Sequence, residues 1–375
     1  MQDVVIAAYR RSPFTFARKG PLARVRPDDM AAAVVRALVA QSGIDPTTIE
    51  DVIVGCAFPE GEQGFNVARL ISFLAGLPIA AGGVTVNRFC GSSMQSVHQA
   101  AGAIAMGAGE AFICAGIESM SRVPLGGFNP MPNPGLIAMM PAAYVSMGET
   151  AENVAARYQI SRADQEAFAT RSHHKAAAAQ AAGKLADEIV AIGAVTEDGC
   201  IRPETTLEAL AGLKPAFRAD GSVTAGTSSP LTDGASAVLV CSGDYARRHG
   251  LTALARVKSI AVCGCGPEVM GMGPVGSSQK ALARAGITVA DLDIVEINEA
   301  FASQALACMR ELGIREEIAN IDGGALALGH PLGATGARIV GKAASLLARE
   351  GGRYALVTQC IGGGQGIATV LEAVQ

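Results

Sequence analysis

The chain has 375 residues, 50% hydrophobic and 17% charged, with a formal net charge of −4. That balance excludes a disordered chain, and no basic run is long enough to track a nucleic-acid backbone. At roughly 150 residues per domain, the length predicts two or three domains. Glycine takes 45 positions without a G-X-Y period and aromatics are 4%, which excludes collagen and points to small-residue helices packed closely on a sheet. The nine cysteines are scattered and odd in number, and Met1 to Arg11 is charged at Asp3, Arg10 and Arg11. No secretory signal is expected there, and the thiols read as free and mostly buried in a reducing, cytoplasmic compartment. The longest apolar zone, Ala100 to Ile117, is broken by Glu110, so no membrane span is expected.

In chain order, Gly43-Ile44 closes a helix-like run and leads to a strand at Val52-Ile53-Val54. Val84-Thr85-Val86 is a short β-branched run, and Cys90-Gly91-Ser92-Ser93 opens a helix carrying Met94, Val97 and Ala101 on one face. Pro124 to Pro141 holds five prolines and reads as an excursion over the surface. Ser161 is placed as the N-cap of a helix running through Phe168 to about Gln180. His173 and His174 on it are adjacent, so they point to different sides and make poor joint metal ligands. Both are expected to face solvent. From Thr224 the texture returns to Gly-rich turn and then a strand at Ala237–Val240.

The second half repeats the first. Gly286-Ile287 leads to Ile294–Ile297 as Gly43-Ile44 leads to Val52–Val54, and an offset of 243 lays Val86–Gly116 on Gly329–Gln359 without a gap. Both halves read strand, Gly-rich turn, helix, strand, the alternation of a layered α/β fold with buried parallel strands. The predicted boundaries are 1–120 plus 223–246 for the first core half, 121–222 for an inserted subdomain, and 247–375 for the second half.

Three motifs read as misleading. Gly271 to Gly276 matches G-x-G-x-x-G, but no apolar strand ends at Gly271 and Pro267 and Pro274 crowd the turn. Gly336 to Lys342 has phosphate-loop spacing, but Ala343 replaces the Ser/Thr that would hold Mg²⁺, and the repeat places it mid-helix. Cys263-Gly264-Cys265 lacks a second cluster to complete four metal ligands and reads as a turn, so no metal is expected.

Four positions carry chemistry. A thiol at a helix N-terminus, as at Cys90, meets free N–H groups and the positive dipole end, which favour thiolate and could hold an oxyanion. A buried structural cysteine fits the same spacing. His330, framed by Gly323-Gly324 and Gly329-His330-Pro331-Leu332-Gly333, could take the thiol proton. Cys360 ends the strand Ala355–Thr358 and precedes Gly362-Gly363-Gly364, where a substrate can approach the backbone. Asn298 ends the strand Ile294–Ile297. All four fall at strand ends or helix starts, where α/β folds place ligands.

The segments Val86-Asn-Arg-Phe-Cys90-Gly-Ser-Ser-Met-Gln, Asn298-Glu-Ala-Phe-Ala302, Gly323-Gly-Ala-Leu-Ala-Leu-Gly-His330-Pro-Leu-Gly and Cys360-Ile-Gly-Gly-Gly-Gln-Gly resemble, in this order, the thiolase family. The resemblance spans nearly the whole chain. It implies an α/β fold with a duplicated, five-layered α-β-α-β-α core and an inserted loop domain. It implies Cys90 as acylated nucleophile, His330 as its base and Cys360 as the acid/base on the second substrate. One oxyanion hole would be His330 with a water on Asn298, the other the N–H groups of Cys90 and Gly362. Ser229 and Met147 would lie along pantetheine and Lys214 near the adenine end. Coenzyme A is then a co-substrate, with no permanently bound cofactor. The partners implied are CoA and acyl-CoA, in a homodimer or homotetramer that admits a β-oxidation α-subunit.

Cys90-Gly-Ser-Ser-Met-Gln, Ala225-Gly-Thr-Ser-Ser229 and Gly364-Gln-Gly-Ile-Ala-Thr-Val are similar to the degradative branch, which cleaves 3-ketoacyl-CoA. The alternative is the biosynthetic acetyl-CoA direction. Asp322, where the family usually has Asn, and Pro230 depart from the pattern and bear on chain length and CoA contacts. A ketosynthase-like condensing enzyme would carry His at the position of Cys360. A non-catalytic CoA-binding relative would lack one of the four residues, and a nucleotide-dependent enzyme would use Gly271–Gly276.

Overall fold

The computed structural model describes residues 3–374. The first half runs β1 (Val4–Arg11), β2 (Thr15–Phe16), α1 (Pro27–Ser42), β3 (Asp51–Cys56), α2 (Val67–Leu74), β4 (Val84–Val86), α3 (Ser92–Ala105) and β5 (Ala111–Ser119). A long excursion follows, with α4 (Pro134–Met139), α5 (Met147–Arg157), α6 (Arg162–Ala181) and α7 (Leu207–Ala211). The chain then returns as β6 (Thr232–Ser242) and α8 (Gly243–Arg248). The second half runs β7 (Ala255–Gly264), α9 (Gly273–Ala285), β8 (Ile294–Ile297), α10 (Ala302–Leu312), α11 (Ala325–Leu328), α12 (Leu332–Glu350), β9 (Tyr354–Ile361) and β10 (Gln365–Glu372).

The strands order as β4-β3-β5-β6-β1 in one half and β7-β10-β9-β8 in the other, with β2 beside β6. The two half-sheets meet where β1 pairs with β7 over only Val5↔Arg256 and Ile6↔Ala255. The internal repeat extends to register. The parallel pair Asp51↔Phe112 of β3 and β5 becomes Ile294↔Ala355 of β8 and β9 under the offset of 243. Where β4 stands in the first half, the second keeps a single parallel bridge, Val295↔Ala319.

The core explains the layers. Val35, Leu38 and Ile71 of α1 and α2 pack on Val52, Ile113 and Leu239 at one outer face. Leu282 and Leu306 of α9 and α10 pack on Val295, Leu356 and Val370 at the other. Between the half-sheets lie α3 and α12, whose Met94, Val97, Ile339 and Val340 bury against Val238 on one side and Ile294 and Val357 on the other. This is the five-layered arrangement. The two central helices come so close that a Cβ on Gly336 would collide with the backbone N of Met94, which accounts for the small-residue composition.

Buried charges tie the excursion to both halves. Arg11 of β1 donates two hydrogen bonds of 2.7 Å to Asp198 and one of 2.8 Å to Glu188, and Lys342 of α12 donates to Glu188 at 3.2 Å. Asp322 is buried with Lys342 at 2.6 Å and Arg349 at 2.7 Å. Both cations address a carboxylate there, where an amide would be uncharged. Burial pushes the Asp322 carboxyl up, but Arg349 and Lys342 more than reverse this and hold it below the usual range.

Some expectations need correction. Ser161 does cap α6, in a capping box with Asp164, but His173 is buried, not solvent-facing. Its Nδ1 accepts the Arg202 N–H at 3.1 Å, because α6 is covered by the return of its own excursion. Cys263 and Gly264 are not in a turn; they finish β7, paired with Gly366 and Gln365. Cys360 lies within β9, not beyond its end, since the strand continues to Ile361 to pair with Gln365. Gly273 meets the Gln365 and Gly366 backbone rather than a phosphate. Among the described residues, no cluster of three or more His, Cys, Asp or Glu could hold a metal ion, and no helix is long and apolar enough to cross a membrane.

Candidate active site

All nine cysteines are free, six buried and three half-buried, Cys90 among the latter. Cys90 sits in the turn after β4, just before Gly91, the N-cap of α3. A short hydrogen bond from Gln359 to the Cys90 carbonyl fixes this turn to β9. Burial pushes the Cys90 thiol up to about 12, while the N–H of Gly362 and its own N–H act in the other direction. The thiolate expected from the helix dipole alone is therefore outweighed by desolvation in the ligand-free site.

Cys360 is buried beside Cys90. Desolvation, then the Cys90 charge, push its thiol well above the ordinary value. It belongs to an apolar cluster with Ala151, Val223, Met270, Ala300 and Phe301, and Met147 packs against it. The Met147 sulfur comes within 3.4 Å of where a Cβ on Gly362 would stand.

His330 is buried in the loop between α11 and α12. Its backbone N–H donates to Thr232 at 3.1 Å, and its Nδ1 pairs with Thr335 Oγ1 at 2.6 Å. Asn298 Nδ2 lies 3.3 Å from His330 Nε2, and Asn298 Oδ1 is buried without a partner. Asn298 Nδ2 is also 3.5 Å from Nδ1; in the tautomer that donates Nδ1–H to Thr335, Nε2 is an acceptor. Desolvation, helped by the nearby Arg338 charge, lowers the imidazole to about 3, so it is neutral at pH 7. No hydrogen bond joins Cys90 to His330 among the described residues; Cys90 packs against an apolar cluster whose members include Leu332, two residues after His330.

The other sequence-derived positions spread outward. The Ser229 N–H donates at 3.0 Å to the carbonyl of Ala300, two residues past Asn298 on the loop after β8. Lys214 is exposed, on the segment whose Phe217 ring meets Phe301 edge-on at 5.9 Å. Sequence reasoning missed the residues that hold the loops. Glu118 accepts from the N–H of Ala57 at 2.8 Å and of Gly333 at 3.0 Å, and from Gln63 at 2.8 Å. Glu299 accepts from Ser172, Asn320 and the Leu326 N–H. A charged residue ending an apolar strand, as Glu118 does, was the available signal.

A site with two thiols, a neutral imidazole and an amide, lined on one side by apolar residues, is built for acyl transfer through sulfur. Comparison with known proteins agrees. Residues 4–244 match the profile of the thiolase N-terminal domain and residues 251–373 that of the thiolase C-terminal domain. The chain belongs to the thiolase family. It is 50% identical to the 3-ketoacyl-CoA thiolase of Shewanella denitrificans over the full length of both chains. It is 47% identical to that of Bacillus subtilis, over 99% of this chain and all of the relative. The crystal structure of human mitochondrial 3-ketoacyl-CoA thiolase in complex with CoA superposes with a TM-score of 0.92 at 36% identity, covering 100% of this chain and 98% of that one.

Proposed function

We propose that the protein is a 3-ketoacyl-CoA thiolase, cleaving 3-ketoacyl-CoA with CoA to acetyl-CoA and a shortened acyl-CoA. The observation that carries this reading is the pairing of the half-buried Cys90 and the buried Cys360 at one site with the neutral His330–Asn298 pair. Cys90 Sγ attacks the keto carbon and its proton passes to His330 Nε2. The bond between C2 and C3 breaks, and its electron pair leaves on acetyl-CoA as the enolate. Cys360 gives that carbon its proton. A second CoA thiol then attacks the Cys90 thioester, returning a proton to Cys360, and Cys90 leaves as thiolate to recover the proton held by His330. Thioester exchange with thiol is nearly isoenergetic, which suits a sulfur nucleophile. His330 with a water on Asn298 serves the thioester oxygen at one step, and the N–H groups of Cys90 and Gly362 serve it at the other.

Coenzyme A is the co-substrate, entering past Met147 and Ser229 with Lys214 towards the adenine end. The division into 1–120 plus 223–246, 121–222 and 247–375 fits this reading, the middle segment supplying the CoA-facing wall. A homodimer or homotetramer is proposed on the exposed apolar residues around edge strand β4, Phe65 at 94% and Ile79 at 81% exposed. Nine free thiols suit the cytoplasm. The decisive experiment is peptide mass spectrometry after incubation with acetoacetyl-CoA. Acetylation of Cys90 is expected, and Cys90→Ser should lose most thiolysis, since an alcohol ionises far less readily than a thiol. Acylation at a different cysteine would refute the assignment.

A further inference from the structure

We infer that the acyl group carried on Cys90 extends into the apolar cluster of Ala57, Phe58, Met120 and Leu332, and that Met120 and Ala17 set how long an aliphatic tail the enzyme accepts. The inference rests on the thiolase reading above. The reaction itself demands two exits from the site. Cleavage between C2 and C3 leaves the substrate's tail on the carbon bonded to Cys90, while CoA stays with the other fragment.

The structure offers two separate apolar walls at the two thiols. The Cys360 wall includes Met147 and Phe301, on the side reached by Ser229. The Cys90 wall is a different cluster, of Ala17, Ala57, Met120 and Leu332, on which Phe58 and Cys90 itself pack. Phe58 and Phe89 lean together there, their ring centroids 5.9 Å apart. The first wall is taken by the CoA arm, so the tail takes the second.

Within that wall the side chains are unequal. Ala17 and Ala57 are small, and Met120 is the long, unbranched one, held only by the weak bond its sulfur accepts from the Thr232 N–H at 3.4 Å. The chain next to them reaches the surface. Arg18 and Ser121, the chain neighbours of Ala17 and Met120, are joined by a hydrogen bond of 2.5 Å from the Arg18 N–H to Ser121 Oγ. Both line a surface opening of about 540 Å³, together with Lys19, Pro21 and Arg24. A tail that displaces Met120 past Ala17 arrives at this opening rather than at a closed wall. The acyl specificity is therefore for medium to long aliphatic chains, with Met120 as the constriction.

The test is steady-state thiolysis of 3-ketoacyl-CoAs of 4, 8, 12 and 16 carbons by the wild type, Met120→Ala and Ala17→Leu. The readout is the ratio of kcat/KM for each longer substrate to that for the four-carbon one. Gaining or losing one or two methylene contacts changes discrimination roughly 10-fold or more. Met120→Ala should raise the 16-carbon ratio about 10-fold and Ala17→Leu should lower it about 10-fold. The two variants change packing in opposite senses, so if one does not fold the other decides. Ratios that stay within twofold of wild type in a folded variant would overturn the inference and leave the thiolase reading intact. A wild type that cleaves none of the four substrates would overturn the thiolase reading itself, and this inference with it.

Discussion

At Cys90 two influences act against each other. The start of α3 and the Gly362 N–H favour thiolate, but burial wins and leaves the thiol near 12, while His330 is held near 3. The resting pair is thus neutral. Moving the proton from sulfur to Nε2 creates opposite charges in a low-dielectric site, where each stabilises the other, so the nucleophile forms in the act of attack. Cys360 has a different task, at carbon. Cys360→Ala should still form acyl-enzyme from a simple acyl-CoA, because thioester exchange moves no proton at carbon. Its exchange of the acetyl-CoA methyl protons with deuterated water should slow by roughly 10²–10⁴, the usual worth of a general acid–base group. Deuterium incorporation by mass spectrometry, run beside acyl-enzyme formation and with Cys360→Ser as control, checks this; unimpaired exchange would assign the carbon chemistry to another base. Cys90, His330 and Asn298 were candidates in sequence because each follows a strand or precedes a helix; Cys360 was singled out as a strand end and lies one residue inside β9. The supporting contacts were not legible there. Thr232 on the His330 N–H is 98 residues away in sequence, and nothing local marks it.

The start of α12 shows what elements add. Its N-cap, Pro331, offers no side-chain acceptor, yet the Gly333 N–H is met at 3.0 Å by Glu118, from the end of β5 in the other half. Under the internal repeat Gly333 is the counterpart of Cys90. One helix start is therefore closed by the protein's own carboxylate, and the equivalent one is left for the reacting thiol. Glu118 also holds Ala57, so it positions the His330 loop against the Cys90 side. Glu118→Gln would turn an amide N–H towards a backbone N–H and leave a buried donor unpaired, at about 1–3 kcal/mol. The expected result is a lower melting temperature together with a kcat for thiolysis reduced roughly 10-fold, that loss equalling about 1.4 kcal/mol, while KM for CoA holds. A variant that melts early but keeps full kcat would reduce Glu118 to a purely structural role. The repeat that makes this argument possible was visible in the offset of 243, down to strand register. The pairing across halves was not, because periodicity reports which face is buried and not what it meets.

At the scale of the whole molecule, buried titratable groups in the excursion between β5 and β6 and in both core halves set how stability depends on pH. His173 of α6 accepts the Arg202 N–H at Nδ1. Burial, with the Arg202 charge, lowers it to about 4. His98, whose Nε2 is 2.9 Å from Thr369 Oγ1, is lowered to about 3. Each would titrate near 6.5 when unfolded, so below that pH the unfolded chain binds protons the folded one refuses. Their contribution to stability is complete above pH 6.5 and is lost as pH falls towards 4 and 3. Glu296 acts in the opposite sense. Burial raises it to about 7 despite Arg338 at 3.0 Å, so its contribution is complete below the unfolded value near 4.5 and is lost as pH rises through 7. The wild-type curve mixes these signs, and a difference between two proteins separates them. His173→Asn keeps an acceptor near the position of Nδ1 but cannot be protonated. Between pH 7 and pH 5 the wild type should lose about 2 kcal/mol more stability than His173→Asn, by urea unfolding at fixed protein concentration. Equal losses would mean that protons reach His173 in the folded state, and that the excursion opens locally before the core unfolds.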